Sequence, residues 1–175
     1  ALQAKDVATL RQVFDRVRPG LVFAAGGAPF ERALRAVLPD DVELVVTASP
    51  PADLPWTAFA DLEADPGPAV DLARDAVGPD TIAKALFTSG STGRPKGVIN
   101  TQRMLCSNQA MLASVMRFLE EEPPVICDWS PWNHTAGGNH NFGLVLHHGG
   151  TLYMDEGKPT PALFPTTLRN LREVA

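Results

Sequence analysis

The stretch from Leu21 to Val46, LVFAAGGAPFERALRAVLPDDVELVV, places one helical pattern between two short apolar runs. Leu21 to Ala25 is apolar throughout, as in a strand buried within a parallel sheet. Gly26-Gly27 ends that run, and Pro29 suits the first position of a helix, where no backbone N–H is needed. Phe30, Ala33, Leu34, Val37 and Leu38 then fall on one helix face. Val42 to Val46 is the second strand. Strand, helix and strand in this order predict an α/β fold, with parallel sheets layered with helices.

Upstream, Val7, Leu10, Val13, Phe14 and Val17 recur at helical spacing until Pro19-Gly20 stops the helix. Downstream, Pro50, Pro51, Pro55, Pro66, Pro68 and Pro79 break any long element over 48–80. Trp56, Phe59 and Leu62 anchor one short helix in what reads as a surface crossing. Regular signals return with a strand from Ala83 to Thr88, which enters a loop rich in Gly, Ser and Thr. Val98 to Asn100 leaves that loop, and Thr101 is placed to cap a long helix. Its predicted core stripe is Met104, Leu105, Met111, Leu112, Val115, Met116 and Leu119. Glu120 to Glu122 forms a solvated helix end before Pro123-Pro124. A strand over Val125–Trp129, an unusual segment over 131–150, a strand over Thr151–Met154 and a helix marked by Leu168, Leu171 and Val174 complete the chain. The expected organisation is a βαβ unit at 1–47, a proline-rich crossing at 48–80, and a loop and site segment at 81–175.

With 175 residues, 45% of them hydrophobic and 20% charged, the chain has the composition of a globular domain. A net charge of −5, with Lys and Arg scattered, argues against nucleic acid or an anionic membrane as partner. No apolar run approaches the ~18–20 residues of a membrane helix. Cys106 and Cys127 stand apart, without a CxxC pattern, and read as small buried hydrophobes in a reducing cytoplasm.

The loop Thr88-Ser89-Gly90-Ser91-Thr92-Gly93-Arg94-Pro95-Lys96-Gly97 carries the chemistry. Its glycines let the main chain approach a ligand closely, and successive backbone N–H groups in such a turn form an anion-binding concavity. Thr88, Ser89, Ser91 and Thr92 add hydroxyls, and Lys96 adds a full positive charge. These groups suit the β- and γ-phosphates of a nucleotide. Two opposite charges about 4 Å apart attract by ~1 kcal/mol in water and ~4 kcal/mol at an effective dielectric near 20, so Lys96 counts only in a closed loop. A Walker A loop needs Gly before the Lys and Ser or Thr after it; here Pro95 and Gly97 occupy those places. The loop is a phosphate cradle of another kind.

Leu86 to Gly97 resembles the signature of the adenylate-forming superfamily, which includes acyl-CoA synthetases, luciferases and peptide-synthetase adenylation domains. Trp132-Asn133-His134-Thr135-Ala136-Gly137-Gly138-Asn139-His140-Asn141-Phe142-Gly143, with Gly149 to Tyr153 and Asn100 to Met104, is similar to feruloyl-CoA synthases. Ala136 departs from that pattern, where relatives carry a bulky aromatic, and this bears on the size of the acyl pocket. The resemblance implies two steps. A carboxylate attacks the α-phosphate of ATP, giving an acyl adenylate and pyrophosphate, and the thiol of CoA then displaces AMP. It also implies Mg²⁺ and a small aryl carboxylic acid. Thr88, Ser89, Gly90, Ser91, Thr92, Gly93 and Lys96 would hold the leaving pyrophosphate, with Lys96 and His134 catalytic. His134, Gly138 and His140 would contact the acid.

A metal held by histidine is not expected, because His134 and His140 lack the i,i+4 spacing of a helical zinc pair and no Cys lies among them. His147-His148 is placed at a helix end. An aromatic-Gly-x-Thr-Glu run, a Gly-Asp ribose motif and a C-terminal adenylation lysine are missing before Ala175. The chain is therefore expected to be an internal part of a large N-terminal domain, inactive alone and prone to self-association. Alternatives are a fatty-acyl or amino-acid adenylating enzyme, or a non-catalytic interaction module.

Overall fold

In the computed structural model the described residues are 7–88 and 95–174. They divide between two compact units, one within 1–76 and 87–96, the other within 77–86 and 97–175.

In the first unit, helix α1 (Val7–Val17) leads into strand β1 (Leu21–Gly26). A 3-10 turn over Ala28–Phe30, with Pro29 in its first positions, opens helix α2 (Glu31–Val37), and strand β2 (Glu43–Ala48) follows. Strands β1 and β2 are parallel, with Val22 opposite Leu44 and Ala24 opposite Val46. The two-residue strand β3 (Thr57–Ala58) extends the sheet in parallel on the far side of β2. Leu34 of α2 packs on Leu44 and Val46, flanked by Val22, Phe30, Leu38 and Leu54. The predicted βαβ unit is therefore present. β1 is less enclosed than its apolar run suggests: Leu21 is 46% and Phe23 54% exposed. The reason is its place at the sheet edge, where Phe23 meets the ring of Phe59 edge-on at 5.6 Å. Central β2, by contrast, buries Leu44, Val45 and Val46 almost completely. Glu31 binds Arg35 at 2.6 Å and also accepts from the Ala52 N–H. The Arg35 hydrogen bond, more than the Ala52 one, holds the Glu31 carboxyl below its ordinary range.

The crossing contains the short turn expected near Phe59, a 3-10 turn over Phe59–Leu62. It also holds a full helix, α3 (Pro68–Asp75), which the proline count argues against. Pro68 sits at the start of α3, where proline initiates a helix rather than breaking it. Asp71 in the first turn and Arg74 in the last complement the helix dipole.

In the second unit, strands β4 (Ile82–Thr88) and β5 (Lys96–Thr101) pair as a two-stranded sheet, parts of both strands belonging to the first unit. Helix α4 (Gln102–Val115) starts at Thr101, whose hydroxyl accepts the Met104 N–H at 3.3 Å, as the sequence predicts. The predicted stripe needs correction. Met104, Met111 and Val115 are exposed, whereas Gln109 and Ala113 are the buried residues of α4. Leu105, Gln109, Leu112 and Met116 follow helical spacing on one face, so the face is rotated from the all-apolar choice and includes a glutamine. Cys127 is half-buried but Cys106 is exposed, against the expectation of two buried thiols, because it lies off that face.

Strand β6 (Val125–Asp128) pairs in parallel with β7 (Thr151–Met154). Between them lie a π-helical turn over Ala136–Asn141 and helix α5 (Phe142–His148), which ends at Gly149 in the left-handed conformation at φ 65°. Helix α6 (Phe164–Val174) is tied to β7 by Asp155, which accepts from Thr167 Oγ1 at 2.6 Å, Asn170 Nδ2 at 2.7 Å and Gly157 N at 2.8 Å. The Thr167 hydrogen bond does most to hold the Asp155 carboxyl below its ordinary range, opposed by burial. Burial chiefly, then the Asp155 charge, pushes the Cys127 thiol up.

Candidate active site

The segment expected to bind phosphate lies between β4, which ends at Thr88, and β5, which begins at Lys96. Both residues are exposed. Ser89, Gly90, Ser91, Thr92 and Gly93 lie outside the described residues, so their predicted role as a phosphate nest remains a sequence expectation.

The histidine-bearing segment folds as a π-turn, an i→i+5 geometry found mostly as single turns at functional sites. The Phe142 N–H donates to Gly137 O across the turn. Two glycines make the geometry possible. A Cβ on Gly137 would lie 2.6 Å from Pro131 O, and one on Gly138 would collide with Trp132 O. Both obstacles are backbone atoms, so they cannot swing aside. The rings of Trp132 and Phe142 stack at 4.7 Å across the base of the turn.

His134 is exposed. Its carbonyl accepts the Gly138 N–H at 2.9 Å, and its Nδ1 accepts the Ala136 N–H at 3.3 Å. An Nδ1 that accepts places the proton of the neutral ring on Nε2, which makes Nε2 a donor suited to a carboxylate oxygen. His140 is half-buried, and its Nδ1 meets Asn141 Oδ1 at 2.8 Å. An amide oxygen only accepts, so there the proton sits on Nδ1.

Three side chains that the sequence reading left out of the site converge on the turn. Lys84 Nζ of β4 donates to Gly138 O at 3.2 Å, and Gln109 Nε2 of α4 donates to Asn139 O at 2.7 Å. Asn139 Nδ2 donates to Asn100 Oδ1 of β5 at 2.9 Å. Gly143 leaves room for this arrangement, since a Cβ there would lie 2.6 Å from Gln109 Nε2. A cavity of about 240 Å³ adjoins the cluster, lined by Lys84, Leu105, Gln109, Asn139, Phe142 and His147 among others. The available signal was a polar residue, Gln109, four positions after Leu105 and three before Leu112 on one helix face. Among the described residues no group of three or more His, Cys, Asp or Glu could hold a metal ion. No helix among them is long and apolar enough to cross a membrane.

The fold and sequence have clear relatives. A coenzyme A ligase of Mycobacterium tuberculosis, named for a methyl-dioxo-octahydro-indenyl propanoyl group, is 31% identical over 144 residues, covering 80% of this chain and 28% of that protein. A medium-chain-fatty-acid–[acyl-carrier-protein] ligase of Teredinibacter turnerae is 42% identical over 71 residues, covering 41% of this chain and 11% of that protein. The chain thus spans less than a third of the length of either relative. Among solved structures, ATP-bound MatB from Rhodopseudomonas palustris superposes with a TM-score of 0.60 at 22% identity, covering 86% of this chain and 28% of that one. A luciferase-like enzyme from the mealworm Zophobas morio gives 0.66 at 15% identity, covering 97% and 38%. At those identities the likeness concerns the fold alone, an α/β architecture of parallel sheets and helices. The AMP-binding enzyme family matches residues 6–173, nearly the whole chain. With that match, the chain belongs to the AMP-binding enzyme family, within the adenylate-forming superfamily.

Proposed function

We propose that this chain is part of the N-terminal domain of a longer acid–CoA ligase, one that adenylates an aryl carboxylic acid such as ferulate and passes the acyl group to CoA. The observation that carries the reading is the Thr88–Gly97 loop sequence set between paired β4 and β5. In this reading the loop, with Thr88, Ser89, Gly90, Ser91, Thr92, Gly93 and Lys96, orients and neutralises the leaving pyrophosphate, an electrostatic task. His134 Nε2–H donates to the acid, while Gly138 and His140 shape the acyl site beside it. Mg²⁺ would neutralise phosphate charge when bound. The substrate class rests on the resemblance of Trp132 to Gly143 to feruloyl-CoA synthases, and a cytoplasmic setting goes with it.

A second reading keeps the adenylation and changes the acid and the acceptor. It is favoured by the 42% identity to a ligase that loads medium-chain fatty acids onto acyl carrier protein. Steady-state rates of the full-length enzyme with ferulate, coumarate, benzoate, decanoate and palmitate, each with CoA or carrier protein, separate the two. Hydroxycinnamates with CoA should lead in kcat/KM. A fatty acid or an amino acid that wins, or a carrier protein preferred over CoA, would remove the aryl-acid assignment.

A further inference from the structure

We infer that Lys84, Asn100 and Gln109 are positioning residues that clamp the π-turn at Gly138 and Asn139 and so set the aim of His134 and His140 toward the acid. The inference rests on the acid-ligase reading for its functional half. Its structural half stands on geometry alone. Side chains from β4, β5 and α4 reach two consecutive residues of one turn: Lys84 to Gly138 O, Gln109 to Asn139 O, and Asn100 to the Asn139 amide. Asn100 is itself oriented, since its Nδ2 donates to Val98 O at 3.0 Å. Gly138 is one hydrogen bond from His134 O, and Asn139 precedes His140, so a shift of the clamped pair moves both histidines.

Gln109 is 4% exposed on the helix face that also carries Leu105, Leu112 and Met116. Its Oε1 and the Asn139 Oδ1 are buried with no hydrogen-bond partner among the described residues. An apolar residue at 109 would fill the same face but leave Asn139 O without its donor, whereas glutamine fixes the direction of that carbonyl.

Gln109→Met keeps the length of the side chain and removes the donor. In the full-length protein it should raise the KM for the acid about tenfold while leaving the KM for ATP within about twofold. Amide hydrogen exchange of the peptide spanning 134–142 should accelerate about tenfold in the same variant. Lys84→Met, at a half-buried strand position, should move both readouts in the same direction and covers the case in which Gln109→Met does not fold. The double variant should fall short of the product of the two single effects, since both act through one turn. Faster exchange with an unchanged acid KM would reduce the clamp to a structural feature and overturn the inference, and unchanged exchange would overturn it outright. If the wild-type protein adenylates no acid, the ligase reading fails, while the exchange data still decide whether these side chains hold the turn.

Discussion

Lys96 stands at the mouth of the loop with a charge that matters only against an enclosed phosphate. Lys96→Ala in the full-length enzyme should therefore remove roughly 2–4 kcal/mol of transition-state stabilisation, about a 10²-fold loss in adenylation rate. Single-turnover formation of acyl adenylate measures this, and a wild-type rate would remove the role. With Nδ1 accepting from the Ala136 N–H, His134 offers its Nε2–H as a donor. His134→Ala should slow acyl activation while denaturant midpoints stay close to wild type, because the ring is exposed and its hydrogen bond to the Ala136 N–H is local. Gly137 has the reverse character. A methyl group there meets Pro131 O at 2.6 Å and Ser130 O at 2.8 Å, so Gly137→Ala should cost about 1–3 kcal/mol in urea unfolding. A neutral outcome would mean that the turn relaxes more easily than its packing implies.

At the scale of elements, each site segment is held by a device that can be cut separately. Thr101 caps α4, and Thr101→Ala should lower stability by about 1 kcal/mol, read from thermal unfolding, with Thr101→Ser restoring most of it. Asp155 ties β7 to α6 through Thr167 and Asn170. Its carboxyl is lowered from the ordinary 3.8. The stability it contributes is fully present above that unfolded-state value and is lost as pH falls through the lower folded value. Thr167→Val should therefore flatten the acid end of a stability-versus-pH curve below about pH 4 and change little of its shape near neutrality. Unchanged acid sensitivity would show that this carboxylate is not held as the geometry indicates. The elements also show what was legible in the sequence. β1, α2, β2 and the Thr101 cap follow from periodicity, Pro29 and the cap residue, all local signals. α3 was missed because proline was counted as a breaker where Pro68 is an initiator. The true core face of α4 was missed because Gln109 is buried for the sake of a partner 30 residues away. That information lies in the tertiary contact and not in the helix. The same holds for Lys84 and Asn100, whose chemistry is visible in the sequence but whose targets are not.

At the scale of the molecule, the chain carries a phosphate-loop sequence and a histidine-bearing turn, and it spans less than a third of the length of the CoA ligase it resembles. Adenylation requires base, ribose, phosphates and acid to be held together, since in-line attack tolerates little misplacement. Residues 1–175 alone should accordingly form no thioester and bind ATP no tighter than about millimolar, near −4 kcal/mol, by calorimetry. Micromolar binding would show that this segment holds far more of the nucleotide site than its motifs account for. In the longer protein proposed above, the Thr88–Gly97 loop would serve acid-dependent chemistry at the α-phosphate of ATP. The most direct test is the exchange of labelled pyrophosphate into ATP by the full-length enzyme, with and without added acid. Exchange should need a carboxylic acid and run fastest with a hydroxycinnamate if the loop has this role. Labelled ATP forming no faster with any acid in the panel than without one would contradict it.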